Sequence, residues 1–591
     1  MKLTNKKKAG AGVMSVLMAV ILSACSITYS PSGDYAQSIE VRSKDAQSKD
    51  AESKDAESTS MADETQDQFQ KELSAFEITA LQRKLAPDNE AGYPVLDAGR
   101  GNPNWINGKV RHAFTRLMDF ATYECELVYD NGDMAGHGKK EGIGRRFDKF
   151  MDETDETDRF LIDAVEHCVE DLDMDKDDLL FEMANGITGD YYPTPSRCLT
   201  NTEAILNEFL VSALFNGKEP EKKTDIFPTE GGSAAMTYIF HTLNHNMLLK
   251  PGDKIAIGTP IFTPYLEIPD VNNYGLVPIN VVSDEAHNWD IDEEELNKLK
   301  DTDIKAFFLV NPSNPASHAL SSRTLDALEE VVSENPDLII LTDDVYGTFV
   351  EGFESVYSRL PYNTILVYSF SKLYGATGWR TGLVAMSSEN VCDHLLGELS
   401  EEDKKVLWDE YAIAVPDPSS MKFIERLTAD SRSIGLYHTS GLSTPSQIFM
   451  DIMALSHTTY GKDEYIELAN ATVNERYVAL MDALGVDKDL SGENAEYYTI
   501  VDINAMIGDQ YGSDFAQWKQ ENISDLDFLN DLAQKKGVVL MYGPGFDAPE
   551  GSVRISLANL YKEDYVEIAR RIRELLDEYY TEFEETLSEA A

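Results

Sequence analysis

Residues 368–382 read YSFSKLYGATGWRTG and directly follow a run of apolar and β-branched residues. Within this stretch, Lys372 comes after two hydroxyl-bearing residues, Ser369 and Ser371, and Arg380 follows eight residues later. A lysine that is held beside a carbonyl group and can lose its proton binds that group covalently, and arginine suits two-pronged binding of phosphate. Taken alone, a Ser-x-Ser-Lys sequence is more often part of a surface. The prediction of a covalent site therefore depends on what the neighbouring segments carry.

Strand-like segments alternate with helical patterns between about residues 225 and 390. These segments are β-rich and are bounded by Pro, Asn, Asp or Gly, which is typical of buried strands. The predicted strands are 254–257, 304–310, 338–341 and 364–368. Alternation of strands with helices predicts an α/β fold in which a mostly parallel sheet is covered on both faces. In such a sheet we expect the functional groups at the carboxyl ends of the strands.

Polar side chains follow the second and third of these predicted strands. Asn314 follows the second, whereas Asp343 and Tyr346 follow the third. An aspartate at such a strand end can hold a pyridine nitrogen protonated, and the tyrosine and asparagine could bind a phenolic oxygen on the same ring. Separately, the three residues also fit a turn-capping aspartate, a core tyrosine and an Asn-Pro turn. Together with Lys372 at the next strand end, they favour pyridoxal 5'-phosphate (PLP) as a cofactor.

A glycine-rich turn before a predicted helix suits a phosphate group. Gly231 and Gly232 precede a helix expected to begin near Ser233, so backbone N–H groups and the positive end of the helix dipole can face an anion. Phe262 follows the strand 254–257 and is suited to stack on a flat ring. Neither a G-x-G-x-x-G nor a G-x-x-x-x-G-K-[ST] motif occurs, so the sequence does not support NAD or ATP as the cofactor.

The order of short motifs along the chain resembles that of the class I/II aminotransferases, which are PLP-dependent enzymes of fold type I. The motifs are GGSAA, PIFTPY, NPSNP, DDVYGTF, SFSKLYGATGWRTG and VRISLANL, and the resemblance covers about residues 70–585. More closely, GRGNPNW at residues 99–105 and the segment GTPIFTPYLEIP resemble bacterial aspartate 4-decarboxylases, which also transaminate aspartate. The resemblance implies a large domain with a mostly parallel sheet of the seven-stranded type and a smaller α/β C-terminal domain.

The same resemblance implies a role for each candidate residue around the cofactor. Lys372 would bind the cofactor covalently and move protons, and Asp343 would pair with its pyridinium nitrogen. Tyr346 and Asn314 would bind its phenolic oxygen, and Phe262 would stack on its ring. The phosphate would be held by Gly232, Ser233, Ser369, Ser371 and Arg380.

Substrate roles are implied by the resemblance as well. Arg554 in the sequence VRIS matches the arginine that grips the α-carboxylate, helped by the backbone at Gly101, and Arg100 is the candidate for the side-chain carboxylate. Tyr191 or Tyr192 matches a tyrosine lent by a neighbouring subunit, which implies a homo-oligomer of at least two copies, and the decarboxylases form larger assemblies. We find no match for the arginine that contacts the distal carboxylate in ordinary aspartate aminotransferases, and this favours the decarboxylase.

Three functions are compatible with these residues. The first is decarboxylation of L-aspartate at its β-carboxylate to L-alanine and CO₂, with transamination between aspartate and a 2-oxo acid as a side activity. The second is transamination of another amino acid on the same fold. The third is a catalytically idle, exported lipoprotein that uses the fold for binding. Against the third stands the intact set of Lys372, Asp343, Tyr346, Arg380 and Arg554.

The N-terminus predicts export. Four lysines within residues 1–8 precede an apolar run at about 13–22, which is too short to span ~30 Å of hydrocarbon. The run ends in Leu-Ser-Ala-Cys, which resembles the bacterial lipobox with Cys25 as the lipidated first residue. We therefore expect a protein that is lipid-anchored to a bacterial cell membrane and faces outward, the alternative being a cytoplasmic protein.

The domain organisation follows from shifts in composition. A polar repeat after Cys25, SKDAQSKDAESKDAESTS, contains only alanine as an apolar residue and predicts a disordered tether. The predicted division is 1–24 signal peptide, 25–67 tether, 68–200 N-terminal arm and part of the small domain, 201–435 large PLP-binding domain, and 436–591 small C-terminal domain.

Three further patterns complete the expected C-terminal lobe and its surroundings. Residues 537–541 and 552–556 are expected to be strands, and apolar spacing from Tyr565 to Tyr579 predicts a final amphipathic helix. Residues 395–440 and 505–530 are acidic and show no clear periodicity, so we expect irregular surface insertions there.

Charge and composition exclude several classes of function. The net charge is −53, and so acidic a surface repels phosphate backbones, which argues against nucleic-acid binding. The five cysteines form no CxxC pair. His241 and His245 are four residues apart, but the glutamate of a zinc-protease helix does not follow His241. We therefore expect no metal ion.

Overall fold

The computed structural model describes residues 73–129, 134–190, 197–269, 274–435 and 441–590. The chain divides into two compact units, residues 1–80 and residues 81–591. In the first unit, the described residues 73–80 hold the beginning of a helix. The signal peptide, the tether and Cys25 lie outside the described residues, as do Tyr191 and Tyr192, so the predictions for them stay predictions.

The strands of the described residues, numbered in chain order, are β1 (Leu96–Asp97), β2 (Thr224–Thr229), β3 (Lys254–Thr259), β4 (Val277–Val282), β5 (Ile304–Val310), β6 (Ile339–Asp343), β7 (Thr364–Ser369), β8 (Gly382–Ser387), β9 (Tyr498–Asp502), β10 (Val538–Val539), β11 (Met541–Tyr542) and β12 (Ser552–Ser556). The α-helices are Ala75–Leu85, Gly108–Glu126, Ile143–Phe150, Glu156–Glu170, Lys176–Thr188, Thr200–Leu214, Gly232–His245, Thr263–Leu266, Glu293–Leu296, Ser322–Glu334, Val356–Arg359, Val391–Glu398, Glu401–Tyr411, Phe423–Asp430, Thr444–Thr458, Glu464–Leu484, Ile503–Tyr511, Ser513–Asn522, Asp525–Lys536 and Lys562–Ala590. Short 3-10 turns occupy Ala86–Asp88, Glu285–His287, Asn297–Lys300, Gly347–Phe349, Thr377–Trp379, Pro418–Ser420 and Gly543–Phe546.

A seven-stranded sheet in the order β2-β8-β7-β6-β5-β3-β4 forms the centre of the second unit. Its strands run parallel except β8, which pairs antiparallel with both β2 and β7. This confirms the predicted mostly parallel α/β sheet. The register places the end of β6, Asp343, beside Val310 at the end of β5, and pairs Gly382 at the start of β8 with the ends of both β2 and β7. One edge of the sheet therefore collects these strand ends.

The central strands are buried because both faces of the sheet are covered by helices. β6, β7 and β8 are buried along their whole length. On one side the helix Gly232–His245 contributes Met236, Ile239 and Phe240 to a large apolar cluster, and on the other the helix Ser322–Glu334 contributes Leu325 and Leu328 to a second cluster. Such burial on both faces explains why these strands are continuous apolar runs and do not alternate.

The C-terminal part of the chain forms a smaller antiparallel sheet in the order β11-β12-β9, and a parallel pair joins β1 to β10. The final helix, Lys562–Ala590, buries Tyr565, Ile568 and Ile572, which confirms the predicted amphipathic helix. After β1 the chain runs beside the end of β12 and the residues after it, since Ser556 N–H donates to the Ala98 carbonyl and Asn104 N–H donates to the Ala558 carbonyl. This pairing leads Gly101 towards the edge of the central sheet.

Two predictions for acidic segments are wrong. Residues 395–440 and 505–530 are largely helical where they are described, with the helices listed above between Glu401 and Asp430 and between Ile503 and Lys536. Several of the acidic residues lie in first turns, where they interact favourably with the positive end of the helix dipole, and the hydroxyls of Ser400 and Ser524 cap two of these helices. The helix Phe423–Asp430 is buried except at Glu425, so it is not a surface insertion.

The predicted strand 537–541 is also corrected. Gly537 has a φ of +65° and ends the helix Asp525–Lys536, and the residues after it divide between two sheets. Val538–Val539 pairs with β1, whereas Met541–Tyr542 pairs with β12. Among the parts of the chain that the structure describes, no helix is both long enough and apolar enough to cross a membrane.

Candidate active site

Lys372 lies just beyond the end of β7, in a turn that brings its amine to the segment after β1. Its Nζ donates a 3.1 Å hydrogen bond to the carbonyl oxygen of Gly101. The hydroxyl of Tyr497 donates to the same oxygen at 3.0 Å. A Cβ at residue 101 would lie 2.4 Å from the hydroxyl oxygen of Tyr498 and 3.4 Å from Lys372 Nζ, so only glycine fits this close approach.

Asp343 ends β6 and is almost fully buried. Tyr265 donates its hydroxyl to Asp343 Oδ2 at 2.7 Å, and Val345 N–H donates to Oδ1 at 3.3 Å. Burial raises the pKa of Asp343 to about 6, while these two hydrogen bonds and the Lys372 cation oppose the rise. The carboxylate is therefore held in a fixed orientation, buried, and ready for a cationic partner.

Tyr346 and Asn314 lie together at the same edge of the sheet. The amide of Asn314 is 3.5 Å from the hydroxyl oxygen of Tyr346, and Tyr346 donates its hydroxyl to that of Tyr498 at 3.1 Å. Burial, followed by the neighbouring Tyr498 and Tyr497, raises the pKa of Tyr346. Tyr346 therefore stays protonated and acts as a hydrogen-bond donor.

The glycine turn and the serine-arginine stretch face each other across the end of β2. Gly231 has a φ of +86°, and a Cβ there would lie 2.5 Å from Arg380 Nη2. The Arg380 guanidinium is held by the carbonyls of Thr377 and Glu230, at 2.9 and 3.3 Å. Ser369 and Ser371 share a 2.8 Å hydrogen bond between their hydroxyls. The helix that begins at Gly232 directs its free N–H groups to this side, so the turn combines an arginine, two hydroxyls and a helix N-terminus.

Arg554 extends from β12 into the same region and is only 2% exposed. Its guanidinium donates to Asn314 Oδ1 at 3.2 Å and to the Gly99 carbonyl at 3.0 Å, while Nε has no hydrogen-bond partner among the described residues. Burial lowers the pKa of Arg554, and the nearby Tyr498 and Tyr346 oppose this. A buried guanidinium with donor capacity left over is suited to a carboxylate.

The remaining predicted residues lie around the edge of the site formed by Lys372, Asp343 and Arg554. The ring of Phe262 packs edge-on against Tyr265, the donor to Asp343, with 5.2 Å between the ring centroids. Ser233 is exposed in the first turn of its helix. The Arg100 side chain is more than half exposed and donates from Nε to Asp97 Oδ2 at 3.0 Å. Its role towards a substrate carboxylate stays a prediction, as do the roles of the other site residues.

Three tyrosines of the site are absent from the residues selected by sequence. Tyr265 is the last residue of the motif PIFTPY. It is 78 residues from Asp343 in the sequence, so the sequence gives no indication of the hydrogen bond between them. Tyr497 and Tyr498 lie side by side at the start of β9, and both hydroxyls reach the surroundings of Gly101. The two adjacent tyrosines can be seen in the sequence, but only the pairing of β9 with β12 in the folded protein directs them towards the site.

Comparison with known proteins shows the family of the chain. Residues 203–572 match the family described as aminotransferase class I and II. The chain belongs to this family. Over 516 residues it is 42% identical to a bifunctional aspartate aminotransferase and L-aspartate beta-decarboxylase of Pseudomonas sp., covering 86% of this chain and 97% of that protein.

Two solved structures share the fold. An aspartate aminotransferase double mutant from Thermus thermophilus superposes with a TM-score of 0.51 at 18% identity, covering 85% of this chain and 96% of that one. An aromatic aminotransferase from Pyrococcus horikoshii gives 0.52 at 19% identity, covering 82% and 96%. The fold is therefore fold type I of the PLP-dependent enzymes, as expected from the sequence motifs.

PLP is the cofactor of this aminotransferase, and the residues of the site fit it. The turn around Gly231, Ser369 and Arg380 matches a phosphate in charge and in donors, and the buried carboxylate of Asp343 matches the charge of a protonated pyridine nitrogen. Lys372 is the amine available to the carbonyl. When bound, PLP supplies an electron sink for bonds broken at the substrate's α- and β-carbons.

Proposed function

We propose that this chain decarboxylates L-aspartate at the β-carboxylate, releasing L-alanine and CO₂, and transaminates aspartate as a side activity. The observation that carries the proposal is the 42% identity, along 97% of its length, to the Pseudomonas protein that is named for both activities. The alignment behind this identity includes 86% of the present chain.

The geometry supports a place for the α-carboxylate and for the amine of aspartate. Arg554 offers a buried cation for the α-carboxylate, and Gly99 and Gly101 line the same space with backbone. Lys372 lies where it can exchange with the substrate's amine and carry the α-proton. The side chains around this space, such as Tyr498, are buried, which supports a poorly solvated β-carboxylate and so favours its loss.

The decisive experiment is product analysis with the purified full-length protein supplied with PLP. We expect aspartate alone to yield alanine and CO₂ in equal amounts, and aspartate with 2-oxoglutarate to yield some oxaloacetate. Lys372→Ala is the matched control, because it removes the amine and should abolish both products. If aspartate yields no alanine while another amino acid is transaminated, the enzyme is an aminotransferase of that amino acid. If no amino acid is converted and no visible cofactor absorbance depends on Lys372, the chain is a binding protein.

We also propose that the enzyme functions as a homo-oligomer of at least two copies, because the resemblance implies that Tyr191 or Tyr192 is lent to a neighbouring subunit. The test mixes two inactive variants, Lys372→Ala and Tyr192→Ala, after dissociation and reassociation. Mixed assemblies would contain sites with both residues intact, so activity should return in part. No return with either Tyr192→Ala or Tyr191→Ala would contradict the shared site.

We further propose that Cys25 carries a lipid anchor and that the enzyme faces outward from the cell membrane. The lipobox-like residues 22–25 after a short apolar run support this proposal. Fractionation should place the protein with membranes and Cys25→Ala in the soluble fraction. Equal distribution of the two proteins would contradict the anchor and favour the cytoplasmic alternative.

A further inference from the structure

Tyr498 lies between two cations of the site, Lys372 and Arg554. It begins β9, opposite Ser556 on β12, and is therefore the diagonal neighbour of Arg554. The Arg554 guanidinium carbon lies 4.3 Å from the centre of the Tyr498 ring. At the other end of the side chain, the hydroxyl oxygen lies close to Gly101, on the side where Lys372 Nζ also lies. A Cβ at residue 101 would be within 3.4 Å of both atoms. The residue thus spans from the expected α-carboxylate position to the expected amine position.

The hydroxyl of Tyr498 donates no hydrogen bond to the residues that the structure describes. In its 3.1 Å contact with Tyr346, Tyr346 is the donor and the oxygen of Tyr498 accepts. The Gly101 carbonyl nearby already accepts from both Lys372 and Tyr497. The hydrogen of Tyr498 is therefore left for a group that enters the space between Lys372 and Arg554.

Decarboxylation at the β-carbon needs such a hydrogen. When the bond between the β-carbon and its carboxylate breaks, the electron pair of that bond must end in a new carbon–hydrogen bond. Lys372 is engaged with the α-proton, one carbon away. A second acid beside Lys372 can supply the proton for the β-carbon, so that Lys372 has to act only at the α-carbon.

We propose, on the basis of the proposed function, that Tyr498 is the acid that gives its hydroxyl proton to the substrate's β-carbon as CO₂ leaves. The bond from the β-carbon to the departing carboxylate breaks, and the bond from that carbon to the Tyr498 hydrogen forms. The phenolate left behind takes a proton from solvent before the next turnover, so that one proton is consumed for each alanine made.

The surroundings of Tyr498 suit a transient phenolate. The titratable and charged groups that face it are Tyr346, Tyr497, Lys372 and Arg554. Burial alone would raise the pKa of Tyr498, but the cations of Lys372 and Arg554, with the hydrogen bond from Tyr346, bring it below the ordinary value of a tyrosine. In contrast, burial raises the pKa of its neighbour Tyr497.

The first test compares product partition in Tyr498→Phe and the wild type, both as full-length protein with PLP. The phenylalanine keeps the ring against Arg554 and removes only the hydroxyl. We expect alanine formation to fall by about 10²-fold, the usual contribution of a general acid. Oxaloacetate formation should change by less than about threefold, because transamination needs no proton at the β-carbon. Equal loss of both products, or loss of neither, would overturn the proposal.

The second test does not depend on turnover. Tyrosinate absorbance of the full-length protein without cofactor is titrated in the wild type, Tyr498→Phe, Tyr497→Phe and Lys372→Ala. We expect one tyrosine to ionise below the ordinary range in the wild type and in Tyr497→Phe, but not in Tyr498→Phe. Lys372→Ala should move that ionisation to higher pH. Identical titrations of the wild type and Tyr498→Phe would overturn the proposal, even if Tyr498→Phe binds the cofactor poorly.

Failure of the inference and failure of the proposed function give different results. If the wild type makes no alanine, the proposed function is wrong, and the role of Tyr498 as an acid for the β-carbon is wrong with it. If the wild type makes alanine and Tyr498→Phe keeps the same ratio of alanine to oxaloacetate, only the inference is wrong.

Discussion

The hydroxyl of Tyr265 donates a 2.7 Å hydrogen bond to Oδ2 of Asp343, where β6 ends inside the protein. Because this bond favours the ionised carboxylate, Tyr265→Phe should raise the pKa of Asp343 above about 6. A protonated Asp343 cannot pair with a pyridinium nitrogen. We therefore expect the variant to bind PLP about tenfold more weakly, in line with a lost hydrogen bond to a charged group, and more so at pH 6 than at pH 8.

The measurement is a cofactor titration followed by visible absorbance at both pH values. Tyr561→Phe is the matched control, since Tyr561 is 71% exposed and is not among the groups that shift the pKa of Asp343. Weakening that is the same at both pH values would show that Tyr265 acts by packing and not through the ionisation of Asp343.

A second prediction concerns Gly101. In Gly101→Ala, the added Cβ would lie 2.4 Å from the hydroxyl oxygen of Tyr498, so the loop or the tyrosine must move and Lys372 loses its place. We expect both activities to fall by about 10²-fold, the cost of a displacement near 1 Å at a reacting group. Gly108→Ala is the matched control, because a Cβ there meets no atom within 4 Å. Steady-state rates of the two variants check this, and full activity in Gly101→Ala would contradict the close approach.

Much of the central sheet was predictable from the sequence, because its strands are buried on both faces and read as continuous apolar runs. The residues at their ends, Asp343 and Lys372, were predictable for the same reason, since each follows such a run directly. The helices in acidic segments were missed, because acidic residues that favour a helix start also resemble a solvated loop. The local sequence pattern thus predicted strands of the large sheet correctly and did not predict the helices in the acidic segments.

The tyrosines of the site were missed for a different reason. Tyr498 reaches Tyr346 across 152 positions of sequence, and it does so only because β9 pairs with β12. Local spacing holds no information about that pairing. Arg100 illustrates the converse: its motif suggests a substrate contact, and its side chain lies on Asp97, three residues away.

A third prediction concerns Arg554. Because its guanidinium donates to Asn314 and to the Gly99 carbonyl at the same time, a lysine in its place could not keep both contacts and still meet a carboxylate. We expect Arg554→Lys to raise KM for aspartate by about tenfold to a hundredfold, the loss of one charged hydrogen bond, with a smaller change in kcat. Arg323→Lys, at an exposed position, is the matched control. A fall in kcat with KM unchanged would contradict binding of the α-carboxylate.

The last prediction concerns Asp344, which is fully buried beside Asp343 and takes no part in the proposed reaction. Burial raises its pKa from 3.8 to about 7, against hydrogen bonds from Ser355 and Thr342. A carboxyl whose pKa is raised by folding stabilises the fold only while it is protonated. Its contribution to the free energy of unfolding is therefore lost as pH rises from about 4 to about 7, by on the order of 4 kcal/mol.

Asp344→Asn keeps the shape of the side chain and stays neutral at every pH, so this loss should disappear. The Asp344 Oδ2 atom has no hydrogen-bond partner among the described residues, so the amide in the variant adds an unpaired donor with a cost that does not depend on pH. For that reason the informative quantity is how the difference in Tm between variant and wild type changes with pH. We expect the variant to gain in Tm relative to the wild type as pH rises from 5 to 8. Asp337→Asn, at a side chain that is 60% exposed, should show no such gain, and an equal slope in both variants would contradict a buried, protonated Asp344.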